Sequence, residues 1–405
     1  MQKKLIALAV TSLASGVVAA QTNVTVYGIA DVGYVYSQGK AGYNPKGIKL
    51  SGTNKFSGLA GGGVTAGNRL GFKGEEALGN GLKAVFTLEY GLNLDTNEGV
   101  GTGGLNARQQ FVGLASNYGT VALGRQYAPG FNATANNDAL EATDMSIQSD
   151  LSVYAGNAIT PNSPARYNNA ISYTSNNLAG FTASAIYGFG ESDIGGYNNA
   201  STYDNSQYGL GLNYANGPIN FDAVWQSRIS AALPNCSGDD DFPSCTATAG
   251  PFKVPGTSKS INEWYVGGSY DLQVVKLYAS YQALDNNNNV ATADVTPGYI
   301  ALSNIKSNNI WTVGLSAPIG PGTLGLSYGK LSMDRRNAPD GDSWGWGTMY
   351  TYPLSKRTAL YAAYTYFDND KNSVAVQTQV AGDGTGIGAL GESNYTLGTG
   401  IRHSF

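Results

Sequence analysis

The strongest constraint on this chain is a two-residue alternation of side-chain character that recurs from end to end. Near the C-terminus Tyr395, Leu397, Thr399, Ile401, His403 and Phe405 share one side of an extended segment; Thr396, Gly398, Gly400, Arg402 and Ser404 share the other. Successive side chains of a strand point to opposite faces. One face is therefore mostly apolar and the other small or charged. The pattern returns as Tyr208/Leu210/Leu212/Tyr214, as Val275/Leu277/Ala279/Tyr281, as Trp311/Val313/Leu315 and as Leu324/Leu326/Tyr328. Beyond the N-terminus no stretch approaches 18 uninterrupted apolar residues, so helical membrane spans are excluded. Charged residues are 13% of the chain, against roughly 25% in soluble proteins. With 27 Tyr and 55 Gly, the composition fits neither a disordered chain nor, lacking a Gly-X-Y period, a collagen.

The connections between these segments alternate in length. Short turns are expected at Leu78–Gly81, Asn117–Gly119, Asn176–Gly180, Asn216–Pro218, Asp271–Val274, Ile319–Gly322 and Leu354–Lys356. Long polar loops are expected at Ser37–Gly67, Asp95–Asn106, Ala128–Ala165, Glu191–Asn205, Ser230–Ser258, Asp285–Ser307, Met333–Gly341 and Asn369–Ser393. Seven turns and eight loops join sixteen strands. Segments of roughly 10 residues with such connections are the signature of an outer-membrane barrel. Hydrocarbon cannot pair a backbone N–H or C=O, so only a sheet without edges spans it. A soluble sandwich or β-helix would not explain why turns and loops alternate.

Lys3 and Lys4 precede the apolar run Leu5–Val10, and small residues end at Val18-Ala19-Ala20. This reads as an export signal cleaved after Ala20, with the barrel over residues 21–405. Its removal takes the formal charge from −4 to −6, because both lysines leave with it. An acidic balance argues against a nucleic-acid partner. Cys236 and Cys245 lie in a polar, turn-rich stretch and are expected to close a loop as a disulfide. The neighbouring Asp239-Asp240-Asp241 run reads as a solvated loop more than as a calcium site, and no metal or cofactor is expected. The one His, His403, sits on the apolar side, which disfavours His-based metal sites and Ser-His-Asp chemistry.

Arg69 and Lys73 flank Gly71 and share the inward face, opposite Leu70 and Phe72. The loop from Ala128 to Ala165 is far longer than an ordinary connection. Within it, residues 136–144 read as a short helix that puts Asp138, Glu141 and Asp144 on one side.

Several motifs resemble the general porins of Gram-negative outer membranes, in their β-proteobacterial branch. They are Val26-Tyr27-Gly28-Ile29-Ala30-Asp31, Arg69-Leu70-Gly71-Phe72-Lys73-Gly74-Glu75-Glu76, Gly119-Thr120-Val121-Ala122-Leu123-Gly124-Arg125, Asn169-Ala170-Ile171-Ser172-Tyr173, Leu354-Ser355-Lys356-Arg357-Thr358-Ala359-Leu360-Tyr361 and the terminal Gly400-Ile401-Arg402-His403-Ser404-Phe405. The resemblance implies an all-β, transmembrane, 16-stranded antiparallel barrel with an inward-folded third loop. It implies a homotrimer among outer-membrane lipids and lipopolysaccharide, with Phe405 as the signal to the barrel assembly machinery. It implies passive diffusion of ions and small hydrophilic solutes past wall cations Arg69, Lys73, Arg108 and Arg166, which face Asp138, Glu141 and Asp144. The family's Pro-Glu-Phe-Gly-Gly run is missing, which leaves Gln148 at the second acidic position and tilts the constriction mildly toward anions. Arg125 matches a strand arginine expected on the outer wall, where Glu98 of a neighbouring protomer would meet it.

No enzyme is expected. The alternatives are a substrate-selective channel, which would need aromatic ladders or a pocket along the lumen, and a barrel with a structural or adhesive role.

Overall fold

A computed structural model of the chain describes residues 23–42, 49, 51–96, 106–190, 206–229, 260–285, 305–335, 339–373, 375 and 388–405. The expected export segment, Glu98, Cys236, Cys245 and the Asp239–Asp241 run lie outside these residues.

Among the described residues, seventeen strand segments form one closed sheet: β1 (Asn23–Lys40), β2 (Thr53–Ala60), β3 (Arg69–Gly79), β4 (Leu82–Gly91), β5 (Ala107–Ser116), β6 (Gly119–Tyr127), β7 (Arg166–Thr174), β8 (Phe181–Gly188), β9 (Gln207–Asn216), β10 (Ile219–Ile229), β11 (Ser260–Asp271), β12 (Lys276–Asp285), β13 (Ile305–Ile319), β14 (Gly322–Arg335), β15 (Gly341–Pro353), β16 (Thr358–Asn369) and β17 (Asn394–Ser404). From β3 onward each strand pairs antiparallel with the next. β17 then pairs with β1 and closes the ring.

The barrel has sixteen staves because β2 and β3 are halves of one. β1 pairs with β3 over Asn23–Ile29 and with β2 over Gly33–Lys40. Much of the long loop expected from Ser37 to Gly67 is thus wall: β1 runs to Lys40 and β2 supplies eight more residues. The alternation there was hidden because its outward positions Lys55 and Ser57 are polar, as suits the loop end of a strand. Between β2 and β3 the chain leaves the sheet. Asp31 of β1, fully buried, holds this excursion. Its carboxylate accepts the Thr65 and Ala66 N–H groups at 2.9 Å and the Tyr361 hydroxyl at 2.5 Å.

The outward face is a band of exposed apolar side chains, among them Val26, Leu59, Val112, Leu123, Leu210, Val266, Leu277, Val313, Leu360 and Ile401. His403 is exposed on the same side and pairs with Thr358 at 2.9 Å. Rings meet along this surface at 5–6 Å, as in Trp311–Tyr328 and Trp346–Tyr364, the amphipathic belt expected at a membrane boundary.

The segment from Ala128 to Ala165 folds into the lumen. Its ends are tied where the Ala128 N–H donates to the Ala165 carbonyl at 2.8 Å. It carries α1 (Pro129–Asn136), started by proline, and α2 (Ile147–Tyr154), capped by Ser146, which accepts the Ser149 N–H. The helix expected over residues 136–144 does not form. Asp138 accepts the N–H groups of Leu140 and Ala142 at 3.0 Å, and Glu141 and Ala142 take left-handed φ values of 60° and 52°. Side-chain capture of backbone donors competes with the helical ladder, and here it wins.

Packing and polar clamps together hold the loop on the wall. Leu140, Met145, Ile147 and Leu151 bury against Ile310, Leu331, Met349 and Phe367. Inward glycines make room: a Cβ at Gly325 would lie 2.5 Å from the Ala139 carbonyl oxygen, and one at Gly329 3.0 Å from Ile147. Gln226 accepts the Gly130 N–H, Glu263 accepts the N–H groups of Ala158 and Ile159, and Asn308 donates to the Ala155 carbonyl. Replacing Gly325 by Val should leave the ring closed yet unseat Ala139 and Leu140. The expected cost is about 1–3 kcal/mol, read as a lower urea midpoint with heat-modifiable gel migration retained. An unchanged midpoint would show that the loop does not rest on this wall.

Candidate pore constriction

Opposite the seated loop, the wall of β3 to β7 carries a charged cluster. Alternation alone would not build it. Val112 is 58% exposed on the outer side, and counting back by two puts Arg108 outward as well. The register between β4 and β5 slips at this point, from Glu89 opposite Gln109 to Tyr90 opposite Ala107. Arg108 is the extra residue of a bulge, and bulges re-aim side chains. It turns inward to Glu89, with Nε 2.8 Å from Oε1. A second slip, from Gly124 opposite Ala170 to Gln126 opposite Tyr167, precedes the Tyr127–Arg166 pair.

Glu89 is the centre of the cluster and is 3% exposed. Besides Arg108 it receives the Tyr27 hydroxyl at 2.9 Å and the Tyr127 hydroxyl at 3.4 Å, and Arg69 stands 4.0 Å away. Tyr27 reaches it by crossing Gly71, where any Cβ would collide with the tyrosine ring. Arg69 is fixed from the excursion side, its Nε donating to the Gly67 carbonyl at 2.9 Å. The Arg166 guanidinium lies 5.5 Å from the centre of the Tyr127 ring, which stacks at 3.7 Å on Phe131 of α1. Wall and loop therefore touch through an arginine–tyrosine–phenylalanine stack. Lys73 is inward and exposed, with its ammonium 5.2 Å from the Tyr27 ring centre and one step removed from the arginines.

The three loop acids predicted for the constriction go three ways. Asp144 faces the cluster: it sits in the electrostatic field of Arg108, Arg69 and Arg166, with Asp31 as a like charge. Burial raises its pKa to about 6, the arginines acting in the opposite sense. Glu141 instead approaches Arg402 of β17 at 3.8 Å. Asp138 turns away from the arginines, its carboxylate spent on the turn at residues 138–142; burial raises its pKa. The shared helical face expected for these acids fails because there is no helix. Gln148 is buried, hydrogen-bonded to Gln282 and Ser280 of the wall, and does not line the constriction.

Arg125 lies on the side of β6 shared by the exposed Val121 and Leu123, with Nε 2.8 Å from the Ala107 carbonyl and a further bond to Asn168. Phe405 ends the closing seam, exchanging two 3.1 Å backbone hydrogen bonds with Gly28.

Glu89, Tyr27, Tyr127, Asp31 and Arg402 were missed in the sequence. Glu89 had a signal. Alternation with Leu82, Ala84, Phe86 and Leu88 leaves it an acid on the inward face of β4, and a register slip between Ala77 and Gly79 sets it opposite Gly71, beside Arg69. Tyr127 had none, because only the loop's path shows what stacks on it.

Comparison with known proteins agrees with this architecture. A family profile described as Gram-negative porin matches residues 7–372. An outer membrane porin protein of Bordetella pertussis is 30% identical over the full length of both chains. In three dimensions the chain resembles the anion-selective porin from Comamonas acidovorans at a TM-score of 0.69 and 26% identity, covering 95% of this chain and 100% of the other. It also resembles the trimer form of OmpT from Vibrio cholerae at 0.57 and 15% identity, covering 95% and 99%. A closed sixteen-stave barrel with an inward loop, whole-length likeness to an outer membrane porin and a match over most of the sequence make this chain a member of the Gram-negative porin family, a channel of the outer membrane.

Proposed function

We propose that ions and small hydrophilic solutes diffuse passively through this barrel past a filter formed by Arg69, Arg108 and Arg166 on the wall and Asp144 on the loop. The observation that carries this reading is the inward turn of Arg108 at its bulge onto a buried Glu89, with Asp144 in the same field. With Lys73, four cations face three carboxylates, those of Glu89, Asp144 and the buried Asp31. Glu141 and Arg402 offset each other. The surplus is positive, and fixed charge at a narrow point sets ion selectivity. The anion selectivity of the Comamonas acidovorans neighbour supports the same sign here. The family and fold point to a channel and not to catalysis.

Three such barrels form the working unit in this reading, supported by the trimer form of the Vibrio cholerae neighbour. Residues 1–20 act as the export signal, Phe405 as the assembly signal, and Cys236 with Cys245 as a loop disulfide. Lipids and lipopolysaccharide surround the apolar band.

Planar-bilayer recording in a KCl gradient tests the filter. The expected zero-current potential has the chloride sign, with conductance steps grouped by three. Arg108→Gln should move the potential toward zero and Arg69→Gln with Arg166→Gln further still. A potassium sign in the wild type would overturn the assignment.

The pH dependence follows from Asp144. Below pH about 6 its carboxyl takes up a proton while the arginines stay charged, so the filter becomes more positive. Chloride preference should rise as pH falls from 7.5 to 5. Asp144→Asn should hold the acid-limit value throughout that range. A variant that still titrates would assign the effect to another group.

A further inference from the structure

The inner wall of a water-filled barrel is polar. Large apolar side chains that face inward are tolerated where the loop covers them, as Ile310, Leu331, Met349 and Phe367 are covered. The two loop helices pack chiefly on β6, β8 to β11 and β13 to β15. On β4 and β5, away from those strands, Val85 and Phe111 break the rule. Val112 and Leu114 are exposed on the outer side of β5, so alternation turns Phe111 inward; the exposed Leu88 does the same for Val85 on β4. Both inward side chains are only partly buried.

Register fixes where this apolar step lies. Lys73 stands opposite Thr87, Thr87 opposite Phe111, and Phe111 opposite Gly124. They form one row across β3 to β6, about 7 Å toward the turn end from the row of Gly71 and Glu89. Val85 lies one row further on, opposite Gly113. Thr87 is short, and Gly124, at φ 131°, has no side chain, so neither covers the Phe111 ring. A ring with an open side accepts a second ring by offset stacking. Lys73, exposed at the same depth, is about 10 Å away across two strand spacings. Its ammonium rides on a flexible four-carbon stem and rests against the Tyr27 ring. A stacking face and a mobile cation on one row match a ligand that carries a flat apolar ring at one end and a carboxylate at the other.

We propose that Phe111, Val85 and Lys73 form a subsite beside the filter that favours aromatic carboxylates among the anions that cross, the ring on Phe111 and the carboxylate on Lys73. The proposal rests on the passive-diffusion reading and adds a preference to it. It also gives Lys73 a task of its own, one row below the arginines.

Bi-ionic planar-bilayer recording of the full-length mature protein tests this, with potassium chloride on one side and potassium benzoate, acetate or cyclohexanecarboxylate on the other at pH 7.5. Size alone makes acetate the faster carboxylate. The wild type should instead favour benzoate. Phe111→Ser should lower the benzoate-to-acetate permeability ratio at least threefold. Phe111→Leu keeps an apolar side chain without a ring and should lower it as well, whereas Phe111→Tyr should keep it. Lys73→Gln should also lower the ratio and Lys73→Arg preserve it. Heat-modifiable migration and an unchanged chloride-to-potassium ratio show that the Phe111 variants retain barrel and filter. A wild type that favours acetate, or a ratio that Phe111→Ser and Phe111→Leu leave unchanged, overturns the subsite. Equal passage of cyclohexanecarboxylate and benzoate overturns recognition of the ring. A potassium sign in the wild type would instead strike the filter and leave the comparison between carboxylates standing.

Discussion

Closure of the backbone ladder between β17 and β1 is the condition for everything else in this barrel. An open edge in hydrocarbon would leave unpaired N–H and C=O groups at several kcal/mol each. β1 carries more than the seam. One edge meets β17, and the other meets β3 and then β2. At the change of partner Asp31 pins the chain that steps inward between them. That excursion supplies the Gly67 carbonyl that fixes Arg69. Tyr27, on the same strand and the same inward face, donates to Glu89. The strand that seals the barrel thus also sets two parts of the filter.

Inside the ring the problem reverses, because water is present and a long loop must be kept to one side. The wall does this with two materials. Glycines and aliphatic side chains of β13 to β17 make a dry bed for Leu140, Met145, Ile147 and Leu151. Polar side chains of β10 to β13 take up the loop's backbone groups. Arg228 and Glu263 are the costly members, a charge pair at 3.2 Å with Glu263 2% exposed. Such a pair is worth keeping only when its remaining hydrogen bonds are made. Both partners reach loop backbone: Arg228 donates to the Gly156 carbonyl at 2.6 Å and Glu263 accepts from Ala158 and Ile159.

The filter depends on departures from regularity. A perfect strand would send Arg108 into lipid, where a guanidinium is expensive. One extra residue in β5 returns it to the lumen and onto Glu89. The slip between β6 and β7, with Gly124 at φ 131° and Asn169 at 49°, precedes the Tyr127–Arg166 pair, in which Arg166 lies over the Tyr127 ring and that ring stacks on Phe131. Irregular backbone here converts two ordinary staves into one wall of a constriction.

Much of this was legible in the residues alone. Alternation with period two, alternating turns and loops and the absence of long apolar runs determine a closed barrel of sixteen staves. They also determine which face of Arg69, Lys73 and Arg402 looks inward, because parity is a local property of an extended chain. The broken second stave escaped, because polar outward residues near the membrane boundary erase the pattern. The fate of the loop acids escaped too. Asp138, Glu141 and Asp144 are alike in sequence, and only packing against the wall gives one to its own turn, one to Arg402 and one to the arginines. Arg108 and Glu89 met through a bulge that no periodicity announces. Sequence determines what repeats along the chain. The contacts made across the lumen, between residues far apart in the chain, belong to the tertiary structure, because they depend on where the ring closes and how the loop is pressed against it.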